Sequence, residues 1–199
     1  VPDLFRTARA SLLPVERTRY AHLGADAAAA MTQVLRTATP DMTEAHLAGA
    51  LADAVTACGA EVTVLLVAGA RRSDVQHPLP TAERLGDRAM AVITAKRHGL
   101  HASVTRWVQF TRSAEHTARE TAIARVEADV LNATRPGRDL DAVLADCAES
   151  YRRHGFGTEQ HPAWLRHHQG GPTGYLGRDP KAFPGSRTVV VAGGAFAWN

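Results

Sequence analysis

An α+β domain made of two related halves, each a pair of helices followed by strands, is the fold class the sequence predicts. Helical and extended patterns run in the order helix, helix, strands and then repeat that order. The segment Val34-Leu35-Arg36-Thr37-Ala38-Thr39-Pro40 lies in register over Val130-Leu131-Asn132-Ala133-Thr134-Arg135-Pro136 without a gap. The same offset superposes Leu47 on Val143 and Gly59 on Gly155, so the helix pairs share their punctuation and each half needs a sheet to cover its apolar face.

The elements follow in order. From Val15 to Ala38, apolar and alanine positions recur at helical spacing until Thr39-Pro40 ends the helix, because proline excludes its predecessor from the α region. Thr43 caps a second helix that runs to about Cys58, with Gly59 at its left-handed end. Glu61 to Ala68 is β-branched and apolar, and reads as a strand buried on both faces or nearly so. An arginine- and proline-rich loop follows. Arg88 to Lys96 and Leu100 to Phe110 read as a hairpin around His98-Gly99, with Thr105, Trp107 and Gln109 alternating against Val104, Arg106 and Val108. Ser113 opens a long helix through Asn132, broken at Arg135-Pro136-Gly137, and Asp139 caps a further helix ending near His154-Gly155. Val189 to Ala192 is strand-like and precedes Gly193-Gly194, but no helix follows and the full glycine fingerprint of a dinucleotide site is missing.

At 199 residues, 45% apolar and 22% charged, the chain supports one sizeable core. The formal charge of +3 comes from scattered arginines, with local pairs only at Arg71-Arg72 and Arg152-Arg153, which argues against nucleic acid as a partner. Cys58 and Cys147 both sit in alanine-rich helical patterns, so they are expected to be buried thiols in a reducing, cytoplasmic setting. The apolar run from Val62 to Ala70 is far short of the roughly 20 residues a spanning helix needs, and the expectation is a soluble protein with no membrane partner. Val1 is not an initiator methionine and the sequence stops at Asn199 after a strand-like run. Residues 1–12 are therefore expected to be an extension or linker from a longer protein, and 13–199 the domain.

Four stretches carry a resemblance. Gly86-Asp87-Arg88-Ala89-Met90-Ala91-Val92 with Gly99-Leu100-His101-Ala102-Ser103-Val104-Thr105-Arg106 is a glycine-aspartate turn and an outgoing and a return strand. Trp164 to Tyr175, containing His167-His168-Gln169-Gly170-Gly171, is a glycine-framed histidine loop. Ala195-Phe196-Ala197-Trp198-Asn199 is a strand after a glycine turn, and His77 stands in Asp74-Val75-Gln76-His77-Pro78. In order and spacing these resemble the pita-bread family of methionine aminopeptidase, aminopeptidase P, prolidase and creatinase. The resemblance covers the chain from about Leu13 onward. It implies pseudo-symmetric helix-helix-sheet halves around a curved antiparallel sheet.

The resemblance also implies a site. The positions of the family's first two ligand aspartates are Val92 and Ser103, and the first ligand glutamate's position is Asn199. Either His167 or His168 is the equivalent of the ligand histidine. Bridging carboxylates offset the repulsion between two divalent ions and span both of them. A valine, a serine and an asparagine cannot do this, so the expectation is no metal and no cofactor. The resemblance makes His77 a general acid/base near the mouth of the site, a role that suits an imidazole near neutral pH. Arg106, at the family's arginine position, could anchor a carboxylate, as could Arg178, and Tyr175 with Asp179 extends the loop in a pattern similar to creatinase. His98 and His101 read as surface histidines. Glycines beside His167 and His168 allow close backbone approach to a ligand. The expected activity is a metal-independent hydrolase or lyase acting on a small amino-acid-derived or peptide substrate. The alternatives are a non-catalytic pseudopeptidase that binds peptide or protein, and a conventional metal-dependent aminopeptidase. The family's habit of dimerising leaves a homodimer open.

Overall fold

Leucine, alanine and methionine at three- and four-residue spacing give the first two long helices one buried stripe each. In α2 (Pro14–Thr37) the stripe is Leu23, Ala27, Ala30, Met31 and Leu35, and in α3 (Glu44–Ala57) it is Leu47, Ala48, Leu51 and Val55. The structure, a computed structural model, describes residues 3–158 and 160–199. The chain divides into two units, Pro14–Arg112 and, for the other, the residues up to Leu13 together with Ser113–Asn199.

In the first unit α2 and α3 pack on an antiparallel three-stranded sheet of β1 (Glu61–Gly69), β2 (Arg88–Arg97) and β3 (Leu100–Gln109), in that order. Strand alternation sends Ala89, Ala91, Ile93 and Ala95 of β2 to one fully buried face, where alanines leave room for helices to approach. The opposite face carries Leu66, Val92 and Thr105 in one cross-strand row and Val64, Thr94 and Ser103 in the next. The β2–β3 turn is His98-Gly99, with φ of 53° and 79°, the left-handed pair that matches hairpin twist.

One buried acid orders the loop between β1 and β2. Glu44, the first residue of α3, is fully buried, and its Oε1 accepts the Gly69 N–H at 2.9 Å. Its Oε2 accepts the Thr81 hydroxyl at 2.7 Å, the Thr81 N–H at 3.0 Å and an Arg72 Nη1–H. Arg72 also donates to the Leu79 carbonyl at 3.1 Å. Both ends of the loop carrying His77 are thus fastened to one carboxylate.

The second unit repeats the plan. Its helices are α4 (Ala114–Ala133) and α5 (Leu140–Arg153), and α5 begins and ends at the α3 positions carried over by the sequence offset. The backbone pattern repeats too. Glu44 N–H donates to Glu83 O and Leu85 N–H to Met42 O, both at 2.9 Å, as Leu140 N–H donates to Thr188 O and Val190 N–H to Arg138 O, both at 2.8 Å. Gly59 and Gly155 close the two helices at φ of 72° and 80°. Val126, Val130, Leu140, Val143, Cys147 and Val190 form the core, against which Phe196 and Trp198 pack. Those aromatics belong to β5 (Ala195–Trp198), which pairs antiparallel with β4 (Gly170–Thr173). A short helix, α1 (Asp3–Arg9), joins this unit through Arg6, whose guanidinium contacts Asp179 at 2.9–3.0 Å, and Leu12 behind it is buried.

Several expectations are corrected. The described strands form a three-stranded and a two-stranded sheet rather than one curved sheet, and Val189–Ala192 contributes only an isolated bridge from Val189 to Asp139. There the backbone bonds to Arg138 and Leu140 instead of to a strand. β1 is not buried on both faces: it is an edge strand with a bulge between Val62 and Val64, which leaves Val64 39% exposed. Cys58 is exposed, since at the end of α3 the helical phase has carried its side chain past the buried stripe, whereas Cys147 is buried. Thr43 caps α3 by accepting the His46 N–H at 3.1 Å, but Asp139 holds the α5 cap position without a side-chain capping bond. No helix among the described residues is long and apolar enough to cross a membrane.

Burial alone raises the Glu44 carboxyl. The Gly69 amide, the Thr81 hydroxyl and amide and the Arg72 charge outweigh it, so the group lies below its ordinary 4.5. A carboxyl depressed in the folded state stabilises above the ordinary range and loses that contribution as pH falls through its folded value. Glu44→Gln is expected to lower the unfolding free energy by about 3 kcal/mol at neutral pH, because it removes the charge opposite Arg72 and puts an N–H donor where one of the two acceptor oxygens stood. It should also flatten the acid side of the stability profile. Urea melts across pH test both effects, and an unchanged midpoint would refute them.

Candidate functional site

A turn of backbone leads from a short helical turn, Ala163–Arg166, into β4, and the first side chains on it are two histidines. Gln169, buried behind them, fixes this turn. Its Nε2 donates to the carbonyls of Trp164 at 2.6 Å and His167 at 2.9 Å, its own carbonyl accepts the Asn199 N–H at 2.9 Å, and its Oε1 faces the Cys147 thiol of α5 at 3.9 Å. His167 and His168 are half-buried, with ring centroids 4.1 Å apart.

Asn199, which follows β5, reaches across both of them. Its Nδ2 donates to the His168 carbonyl at 2.8 Å and stands 3.2 Å from His167 Nδ1 and 3.3 Å from His168 Nδ1. Its Oδ1 accepts an Arg178 Nη2–H at 2.7 Å. The orientation of the amide is therefore dictated on both sides, because a guanidinium only donates and a carbonyl only accepts. Arg178 arrives on a turn closed by the Thr173 hydroxyl, which donates toward the carbonyls of Leu176 and Gly177 at 2.9 and 3.0 Å. Tyr175 lies half-buried in the same turn.

The structure thus brings four of the sequence-proposed residues into one hydrogen-bonded group: His167, His168, Arg178 and Asn199. The glycines beside the histidines allow close packing of backbone. A Cβ on Gly170 would lie 2.1 Å from the Ala197 carbonyl, and one on Gly171 2.5 Å from the Pro180 carbonyl, at φ of 128° and 143°. They let β4 come close to β5 and to the segment after Arg178.

In the other unit, Val92 and Ser103 share one face of the hairpin in neighbouring rows. Ser103 Oγ lies 3.0 Å from Thr94 Oγ1 directly across the strands, so the hydroxyls pair with each other. Arg106 falls on the opposite face by strand alternation, is exposed, and donates to the Thr105 carbonyl at 2.9 Å. His77 is exposed at the outer part of the loop ordered by Glu44, with φ of 51°. That conformation costs a non-glycine residue about 1 kcal/mol, and such strain persists only where the surroundings over-determine it. His98 forms the exposed hairpin turn and His101 is half-buried on β3.

Sequence reasoning passed over Gln169 and Glu44, two buried polar residues that position the candidate groups. Neither belongs to a periodic pattern, and the only signal was an uncharged amide between two histidines and two glycines. Among the described residues no group of three or more His, Cys, Asp or Glu could hold a metal ion. A second polar cluster is a clamp between helices: Asp129 of α4 accepts from Ser150 and Arg153 of α5 and faces His154 at 3.4 Å. Ser150 is fully buried and donates to the carboxylate rather than to an imidazole, which excludes a nucleophile's geometry. Burial pushes the Cys147 thiol up to about 11, so it is no nucleophile either.

An α+β chain with duplicated helix pairs and a histidine turn leading into a glycine-paired strand has known counterparts. The model of metallopeptidase family M24 matches residues 18–197, and the chain belongs to that family. Among solved structures it is similar to the dipeptidase PepE from Mycobacterium ulcerans, at 22% identity and a TM-score of 0.87 over 98% of this chain and 53% of that one. It is also similar to X-Pro aminopeptidase from Thermotoga maritima MSB8, at 17% and 0.86 over 98% and 56%. For methionine aminopeptidase from Rickettsia prowazekii the values are 14% and 0.71 over 94% and 79%. At these identities the likeness establishes the fold, the pita-bread catalytic domain. The chain spans about half the length of the first two of these structures. No curated protein matches it.

Gly170→Ala is expected to break the β4–β5 pairing, because the added methyl meets backbone that cannot yield. The unfolding free energy should fall by about 2 kcal/mol or more. Thermal melting checks this; a variant melting with the wild type would show that the strands need not lie so close.

Proposed function

We propose that this M24 domain works without the family's pair of metal ions, as a hydrolase or lyase acting on a small amino-acid-derived or peptide substrate. The observation that carries the reading is the Arg178–Asn199 bond. At the position the resemblance assigns to a ligand glutamate stands a neutral amide, and its oxygen already accepts from a guanidinium. A fixed cation there repels a divalent ion where a carboxylate would attract it.

The other donors agree. Val92 offers no lone pair, and Ser103 brings a neutral hydroxyl engaged with Thr94. Two imidazoles and an amide do not offset the charge of two metal ions, so the residues present do not fit the group. What they offer instead is proton-handling and anion-holding chemistry within each unit: in the second, His167 and His168 as general acid/base groups with Arg178 and Tyr175 as contacts for a substrate's polar or carboxylate groups, and in the first, His77 as a general acid/base group and Arg106 as an anion contact. Peptidase names among the structural neighbours, a dipeptidase and an X-Pro aminopeptidase, favour amino-acid and peptide derivatives as the substrate class.

Metal analysis of the purified protein combined with turnover of a panel of dipeptides and amino-acid amides tests this reading. The expected result is far less than one divalent ion per chain, turnover that survives a chelator, and a kcat lowered by about 100-fold in His77→Ala. Bound manganese, cobalt or zinc at two per chain with chelator-sensitive cleavage would overturn it in favour of a conventional aminopeptidase. Capture of peptides with no turnover would move the reading to a binding role.

A further inference from the structure

Residues 6–12 touch the rest of their unit at the two places that lead to the Arg178–Asn199 bond. The first is the turn over residues 174–179, which carries Arg178. At its far end the Arg6 Nε–H donates to Asp179 Oδ1 at 3.0 Å, and Arg6 Nη2 lies 2.9 Å from the same oxygen. At its near end stands Leu12, 5% exposed, whose Cδ2 lies 3.4 Å from where a Cβ on Gly174 would be. The second place is the turn that opens β5, the strand that delivers Asn199. There the Leu12 N–H donates to the Gly193 carbonyl at 3.0 Å and the Ser11 hydroxyl to the Ala192 carbonyl at 2.8 Å. Close approach is built in, since a Cβ on Gly194 would lie 2.9 Å from the Ala10 carbonyl.

We infer that Arg6 and Leu12 are positioning residues of the candidate site, clamping the 174–179 turn and the start of β5 together so that Arg178 meets Asn199. The inference rests on the proposed function in one respect only, that the Arg178–Asn199 bond belongs to the working site. The two anchors differ in kind. Leu12 is buried and bonded through its backbone, so it is the fixed end of the clamp. Helix α1 buries no residue, and its Leu4 and Phe5 are 78% and 52% exposed. Among the described residues its side-chain hydrogen bonds and ion pairs stay within the helix, apart from those of Arg6 with Asp179. The free end of the clamp is therefore held by one pair whose side chains are 35% and 18% exposed. A pair so placed shifts an equilibrium by about fivefold and is screened by salt. The hold on Arg178 is accordingly adjustable: whatever draws α1 away loosens the turn that presents the guanidinium, while Leu12 keeps β5 in place.

Nitrogen–proton correlation spectra of labelled protein test this through two probes. One is the Asp179 N–H, which donates to the Pro172 carbonyl at 3.0 Å inside the turn, and the other is the Asn199 side-chain amide, assigned by its loss in Asn199→Asp. In Arg6→Ala the Asp179 amide is expected to exchange with solvent about fivefold faster and the Asn199 signals to move, while the amides of Leu12 and α5 keep their wild-type rates. Arg6→Lys keeps the charge and should restore part of both effects. Asp3→Asn removes only the pair within α1 and should leave both probes unmoved. Sodium chloride at about 0.5 M should bring wild type toward Arg6→Ala without changing the variant further. Changes confined to α1 in Arg6→Ala would overturn the inference, and so would an equal effect from Asp3→Asn. Metal content of the same wild-type sample is a separate readout: two divalent ions per chain would sink the metal-free reading and leave the clamp, whereas metal-free protein with unmoved probes in Arg6→Ala would sink only the clamp.

Discussion

The most constraining interaction in the first unit is a charge kept out of water. Glu44 sits at the start of a helix, where its own backbone is already committed, and its carboxylate gathers donors from the end of β1 and from both sides of the following loop. A fully buried carboxylate is tolerable only if its oxygens are saturated, and the loop supplies the saturation. That mutual dependence fixes the path of the chain from Gly69 to Thr81, His77 included.

A neutral version of the same logic operates in the second unit. Gln169 and Asn199 are amides, able to donate and accept at once, and together they knit the histidine turn, the end of β5 and the Arg178 turn into a continuous set of bonds. The first unit uses a charge to order a loop, and the second uses amides to orient rings. At the offset-equivalent of Glu44 the second unit has Leu140, which is fully buried in an apolar core. The duplicated backbone therefore kept its hydrogen bonds while the side chains diverged.

Much of this was legible in the sequence because it follows from local rules. Helix ends at Thr37, Ala57 and Arg153 sit where proline, glycine and capping residues place them, and the turn at His98-Gly99 is fixed by the only residue pair there that accepts two left-handed conformations. The gapless match between the segments ending at Pro40 and Pro136 was a true repeat of structure, down to the paired backbone bonds of Met42 and Arg138. What could not be read depends on partners distant in sequence. The edge position of β1 exposes Val64, the run at Val189 bonds to a helix cap instead of a strand, and Gln169 works through Cys147 on α5 and Asn199 after β5. The family resemblance singled out His167, His168 and Asn199, but their convergence on one amide, with Arg178, is visible only in three dimensions.

The two glycines that open β4 have one more implication. Because a methyl at either would collide with carbonyl oxygen, these two positions of the strand pair take no side chain, while the groups that could do chemistry stand just beyond its ends. Chemical novelty in such a domain can arise by exchanging end groups such as Asn199 or those of the Tyr175–Arg178 turn without re-evolving the frame. Anyone wishing to redirect the domain toward a new reaction should begin there.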